Sequence, residues 1–144
     1  MALIGVDVSG CRRAIAACAA FALAIGGIAL AQAAEKTIRD QVYSETQAAR
    51  GKSVYDKQCS SCHDAGMGPS LMGDDFMASW ENKTVRTLYT RVLTTMPSDE
   101  PGSVGEPDLL DLMAYLIRAN GFPAGSKAFE SPNELNTIKI VRSK

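Results

Sequence analysis

Apolar positions recur at helical spacing in three stretches of this 144-residue chain. In the last of them Leu109, Leu112, Met113 and Leu116 fall on one stripe of a helix that starts near Pro107 and stops at Asn120-Gly121. In the middle stretch Val85, Leu88, Tyr89 and Val92 repeat the i, i+3, i+4, i+7 spacing, with Thr84 as the cap. That helix ends at Thr95, because Pro97 disfavours helical backbone at Met96. The first stretch runs from Ser44 to about Lys57, with Ala48, Gly51 and Tyr55 on one face, and Ser44 and Gln47 stand three apart as in a capping box. A shorter, Asp-started stretch, "DDFMASW", also reads as helical. No segment keeps strand alternation for long, so the pattern predicts an all-α fold.

Gly51 interrupts its own helix. A mid-helix glycine costs about 1 kcal/mol relative to alanine. The cost is expected where a second helix comes close, and Tyr115 on the last helix is the candidate to pack there. The alternative is an ordinary surface glycine.

Both ends read differently. Arg12 and Arg13 precede a charge-free apolar run that ends at Ala31-Gln32-Ala33. A basic start, an apolar centre and small residues at an A-x-A-like site predict a cleaved secretory signal over residues 1–33. Two alternatives share the stretch: an uncleaved membrane anchor, and a lipid on Cys18 within "IAAC". Residues 34–43 are then an N-terminal extension, and 44–121 the main domain. Residues 122–144 carry no long helical pattern, are punctuated by Pro123 and Pro132, and are expected to wrap the surface with a short turn at "PNEL".

Composition narrows the function. Beyond residue 33 the chain carries 13 basic and 15 acidic residues, a net charge of −2, which gives no reason to invoke nucleic acid. A domain of about 110 residues buries a modest core and often recruits a staple. Only two of the four cysteines, Cys59 and Cys62, remain once the leader is removed, and His63, the one histidine, comes directly after them.

Four chemistries use C-x-x-C in an exported chain. A disulfide here closes a tiny loop and constrains the unfolded chain least. Zinc wants four ligands, and two thiols with one imidazole fall short. A redox dithiol belongs after a strand in a βαβ pattern, which is missing around residues 59–62. Covalent haem attachment has C-x-x-C-H as its signature and uses every residue: two thioether links, then a proximal nitrogen from His63. A haem also brings apolar surface that a short chain lacks.

Whether the iron carries electrons or binds small molecules turns on a second ligand. The methionines beyond residue 33 are Met67, Met72, Met77, Met96 and Met113. Met67 and Met72 lie too near His63 to cross the ring, Met113 reads as core, and Met77 sits in the short helical stretch. Met96 is the candidate: it lies 33 residues after His63, where a helix ends and a loop begins. A neutral thioether favours ferrous iron and fills the sixth position, so electron transfer without substrate chemistry is expected. A haem enzyme or gas sensor with an open sixth site is the rival.

The order "ARGKSVYDKQCSSCH", "GPSL", "TTMP", "LLDLMAYLIRANG" resembles class I cytochrome c over about residues 44–121. The resemblance implies three main helices and short turns around one covalently bound haem c, with Gly51, Tyr55 and Tyr115 at the crossing of the first and last helices. It implies that Pro69 offers its carbonyl to His63 and that Trp80 partners a haem propionate, with Arg86 and Arg91 as further candidates. The stretch "FMASWENKTVRTLYTRVLTTMPSDEPGSVGEPDLLDLMAYLIRANGFPAG" is similar to the small cytochromes c that accompany quinoprotein alcohol dehydrogenases. Together these resemblances imply a periplasmic electron carrier, free or in transient complexes, with a dehydrogenase as donor and a cytochrome or oxidase as acceptor. It would be without a retained anchor. A fixed subunit of a larger complex is the alternative. Met67 and Leu71 are candidates for a partner patch at the haem edge.

Overall fold

Two helices, α1 (Glu45–Gln58) and α5 (Glu106–Ala119), cross at Gly51 and carry the architecture. A β-carbon placed on Gly51 would stand 1.9 Å from the Asp111 carbonyl oxygen and 2.9 Å from the Tyr115 β-carbon. Backbone touches backbone there, which explains the glycine that helix propensity disfavours. One turn on, the rings of Tyr55 and Tyr115 meet with centroids 5.1 Å apart and planes at 48°. Arg50 closes the crossing from the outside, with Nε and Nη2 at 2.6 and 2.8 Å from the two carboxylate oxygens of Asp111.

The computed structural model describes residues 35–142. The expected leader, with Cys11 and Cys18, lies outside the described residues. Between α1 and α5 come a single turn, α2 (Ser60–His63), then α3 (Gly73–Trp80) and α4 (Val85–Thr95). The stripes expected from the sequence face inward: Val85, Leu88 and Tyr89 of α4, and Leu109, Leu112, Met113 and Leu116 of α5, are buried. Thr84 caps α4, its hydroxyl accepting from the Thr87 N–H. Among the described residues no helix is long and apolar enough to cross a membrane.

Two expectations change. Ser44 caps α1 by accepting from the Gln47 N–H, but the Gln47 side chain does not fold back into a capping box. Its amide instead donates to the Phe129 carbonyl at 3.1 Å and accepts from the Phe129 N–H at 2.8 Å. Burying the Phe129 ring buries its backbone too, and both polar groups then need partners.

The terminal segment also does more than wrap the surface. Phe129, Leu135, Ile138 and Ile140 are each no more than 4% exposed, and Ile38 and Tyr43 from the N-terminal extension are fully buried. Each such side chain contributes about 1.5–3 kcal/mol of burial. The two segments meet as a short parallel pair, β1 (Lys36–Thr37) with β2 (Ile138–Lys139), and a 3₁₀ turn, Glu134–Thr137, stands where "PNEL" was expected to turn. The backbone bonds Asn82 N–H to Ile140 O and Ile140 N–H to Lys83 O fix the tail to the α3–α4 turn. The apolar tail positions are too few per element to show a period, so sequence pattern did not mark them as core.

Candidate haem site

The cysteine pair sits at the C-terminus of α1. Cys59 caps that helix, donating its N–H to the Tyr55 carbonyl, and α2 begins at once. The His63 and Cys62 N–H groups both return to the Cys59 carbonyl, at 3.0 and 3.2 Å. This tight turn puts both thiols and the imidazole within one coil of chain. Met67 and Gly68 N–H groups in turn bond the Cys62 carbonyl.

His63 is oriented by backbone. Its Nδ1 lies 2.7 Å from the Pro69 carbonyl oxygen. A carbonyl only accepts, so Nδ1 carries the proton and Nε2 keeps its lone pair, the form in which imidazole ligates a metal. A β-carbon on Gly68 would lie 3.2 Å from the ring, so the chain passes flat against the imidazole. Behind the turn, the Tyr55 hydroxyl donates to the Asp64 carboxylate at 2.5 Å. Burial, then that hydrogen bond, raises the Tyr55 hydroxyl pKa well above its usual value. The Cys59 thiol is pushed up to about 11 by burial and by the nearby Asp64 carboxylate, while Cys62 stands exposed.

Met96 enters from the far end of α4. Its backbone is extended, at φ −129° and ψ 149°, and its N–H closes the helix on Val92. The Met96–Pro97 peptide is cis. Cys59, Cys62, His63, Pro69, Trp80 and Met96 all line one cavity of about 720 Å³. Leu71, Leu88, Val92, Leu112 and Leu116 supply apolar wall. A largely apolar cavity of this size lies in the range of cofactor sites, roughly 300–1,000 Å³. Its donor set, an imidazole with a free Nε2, a thioether and two thiols, fits haem c.

The geometry also sorts the other candidates. Met113 and Met77 are buried in the core at 0% and 7% exposure, Met67 is 72% exposed, and Met72 is half-buried at the start of α3. Among the described residues Met96 is the one methionine lining the cavity. Arg91 lines it too; Arg86 does not, and its guanidinium instead lies 5.1 Å from the centre of the Tyr89 ring. Lys83 occupies the Trp80 face, 5.0 Å from the ring centre. Asn120, which the sequence marks only as the end of the last helix, ties that helix to the segment beyond Pro69. No spacing rule signals such a contact.

Residues 46–116 match the family model for cytochrome c oxidase, cbb3-type, subunit III. The match is to a class I c-type cytochrome domain, and the matched span runs from the first turn of α1 into the last turn of α5. Neither the curated proteins nor the solved structures offer a match. The helical arrangement is that of an all-α cytochrome c fold. A cytochrome c domain binds haem c, is typically extracytoplasmic, and typically carries electrons between protein partners rather than transforming a substrate.

Proposed function

We propose that the chain is an exported, periplasmic one-electron carrier that holds a single haem c through Cys59 and Cys62, with His63 and Met96 as axial ligands. The observation that carries this reading is the convergence of all four side chains on one apolar cavity. When bound, haem c supplies an iron that cycles between ferric and ferrous. The chain's residues fit the rest of the role. The two thiols, three positions apart on one turn, suit thioether attachment. His63 presents Nε2 because Pro69 holds its Nδ1 proton. Met96 offers a neutral, soft sulfur, which favours the ferrous state and denies oxygen and peroxide a position on the metal. Leu71, Leu88, Val92, Leu112 and Leu116 exclude water, which keeps reorganisation small. Trp80 and Arg91 are the propionate partners on this reading. The donor is a dehydrogenase, of the quinoprotein alcohol type by the sequence resemblance, and the acceptor a cytochrome or an oxidase in a respiratory chain.

The description of the matched family favours a second reading, a fixed haem subunit of an oxidase complex. Purification separates the two: a carrier runs as a monomer, a subunit co-purifies with its complex.

The electron-carrier reading is tested on exported protein by intact mass and by ligand binding. The wild type should carry the mass of one haem through denaturation, and Cys59→Ser with Cys62→Ser should lose it. Met96→Ala should bind carbon monoxide in the ferrous state while keeping the haem. A Met96→Ala protein with the same spectrum and carbon monoxide response as the wild type would remove Met96 from the iron.

A further inference from the structure

Asn120 ends α5, yet its side chain reaches into the segment beyond Pro69. The Oδ1 atom accepts from the Gly73 N–H at 2.8 Å. The Nδ2 group donates to the Leu71 carbonyl at 3.1 Å and to the Leu116 carbonyl at 2.8 Å. All the amide's hydrogen-bonding groups are thus engaged, and one side chain spans α5, the loop and α3. α3 needs this help: Met72, at its N-cap position, supplies no side-chain acceptor. Ser70, the one residue between Pro69 and the clamped stretch, is itself pinned through Oγ to the Met72 backbone at 3.2 Å in both directions.

The loop carrying Pro69 is therefore held from two sides. On one side the Met67 and Gly68 N–H groups bond the Cys62 carbonyl. On the other stands Asn120. Between them, Pro69 aims its carbonyl at His63 Nδ1. We propose that Asn120 is a positioning residue for the haem ligand: by fixing residues 71–73 it sets the Pro69–His63 hydrogen bond, and through it the basicity of the proximal imidazole and the reduction potential. This rests on the haem c reading proposed for the cavity. The direction comes from electrostatics. A strong Nδ1–H···O=C bond pushes electron density onto Nε2 and stabilises ferric iron. Weakening it must raise the potential.

Asn120→Ala removes all three bonds. Asn120→Asp keeps the acceptor for Gly73 and the shape, but turns lone pairs on the Leu71 and Leu116 carbonyls; it guards against an alanine variant that fails to fold. Gln47→Ala is the control, since it destabilises the fold at Phe129, away from the cavity lining. Each is prepared as holoprotein. Two readouts are taken: solvent exchange of the His63 Nδ1 proton by NMR, and the midpoint potential. Asn120→Ala and Asn120→Asp should both exchange that proton about tenfold or more faster, and Asn120→Ala should shift the potential upward. In Asn120→Asp the added negative charge opposes that shift, so exchange is its readout. Gln47→Ala should leave both exchange and potential at wild-type values. Unchanged exchange in both Asn120 variants and an unchanged potential in Asn120→Ala, with a wild-type protein that is low-spin and refractory to carbon monoxide, would overturn the role of Asn120 and leave the carrier reading standing. Equal shifts in Gln47→Ala would also overturn it, since general loosening would then suffice. A wild-type protein without covalent haem would overturn both.

Discussion

Substituting Gly51 by alanine sets two effects of opposite sign against each other. In a free helix the change is favourable by about 1 kcal/mol. At this crossing the added carbon would lie 1.9 Å from the Asp111 carbonyl oxygen and 2.4 Å from its carbon. Those atoms are α5 backbone and cannot rotate away, so α1 and α5 must separate. Overpacking of a tight contact costs about 1–3 kcal/mol, and a backbone clash belongs at the top of that range. Subtracting the propensity gain leaves a net loss of about 2 kcal/mol. For a unit of this size the thermal midpoint should fall by about 8 °C. The assay is thermal unfolding of the holoprotein by far-ultraviolet circular dichroism. Separation would also loosen the Tyr55–Tyr115 contact, so near-ultraviolet ellipticity should weaken. A midpoint raised by about 4 °C would mean that helix propensity rules and that the close crossing does not exist.

The same contacts have other consequences. Gln47→Ala leaves the buried Phe129 N–H and carbonyl without partners, which should cost about 2–4 kcal/mol and accelerate hydrogen exchange at Phe129 before the helices. Tyr43→Phe removes the 2.6 Å bond from its hydroxyl to the Phe122 carbonyl, and a loss of about 1–2 kcal/mol in chemical denaturation is expected. Tyr43, Tyr55, Tyr89 and Tyr115 all have hydroxyls raised above the ordinary value, in each case chiefly by burial. Folded-state values above the unfolded one mean that this stability is fully present below about pH 10 and is lost as pH rises beyond it. Denaturation midpoints should therefore hold between about pH 8 and 10 and fall above that, and Tyr55→Phe should flatten the slope.

The legible part of the fold is the part with a period. The α4 and α5 stripes were visible because four apolar residues each recur at helical spacing, and Gly51 because its residue type contradicts its helix. Cys59, Cys62 and His63 were visible because attachment chemistry demands that order. Met96 stood out because Pro97 ends a helix there. The hidden part depends on long-range contact. Gln47 looked like a capping-box partner because Ser44 stands three residues before it; its pairing with Phe129, 82 positions away, has no local signature. Ile138 lies in a two-residue strand and Ile140 just beyond its end, in too short a stretch for any pattern. Asn120 carried the signature of a helix end, and Leu71 and Gly73 alone define its second task.

The central claim is a haem iron closed on both sides by protein. Its most direct test is the optical spectrum of the purified protein, ferric and then ferrous, with carbon monoxide added to the ferrous form. Low-spin spectra with the sulfur-to-iron charge-transfer band in the ferric state, and no change on adding carbon monoxide, are the predicted result. A high-spin spectrum, or ready binding of carbon monoxide, would contradict it, because the iron would then have an open position and a sensor's or enzyme's chemistry.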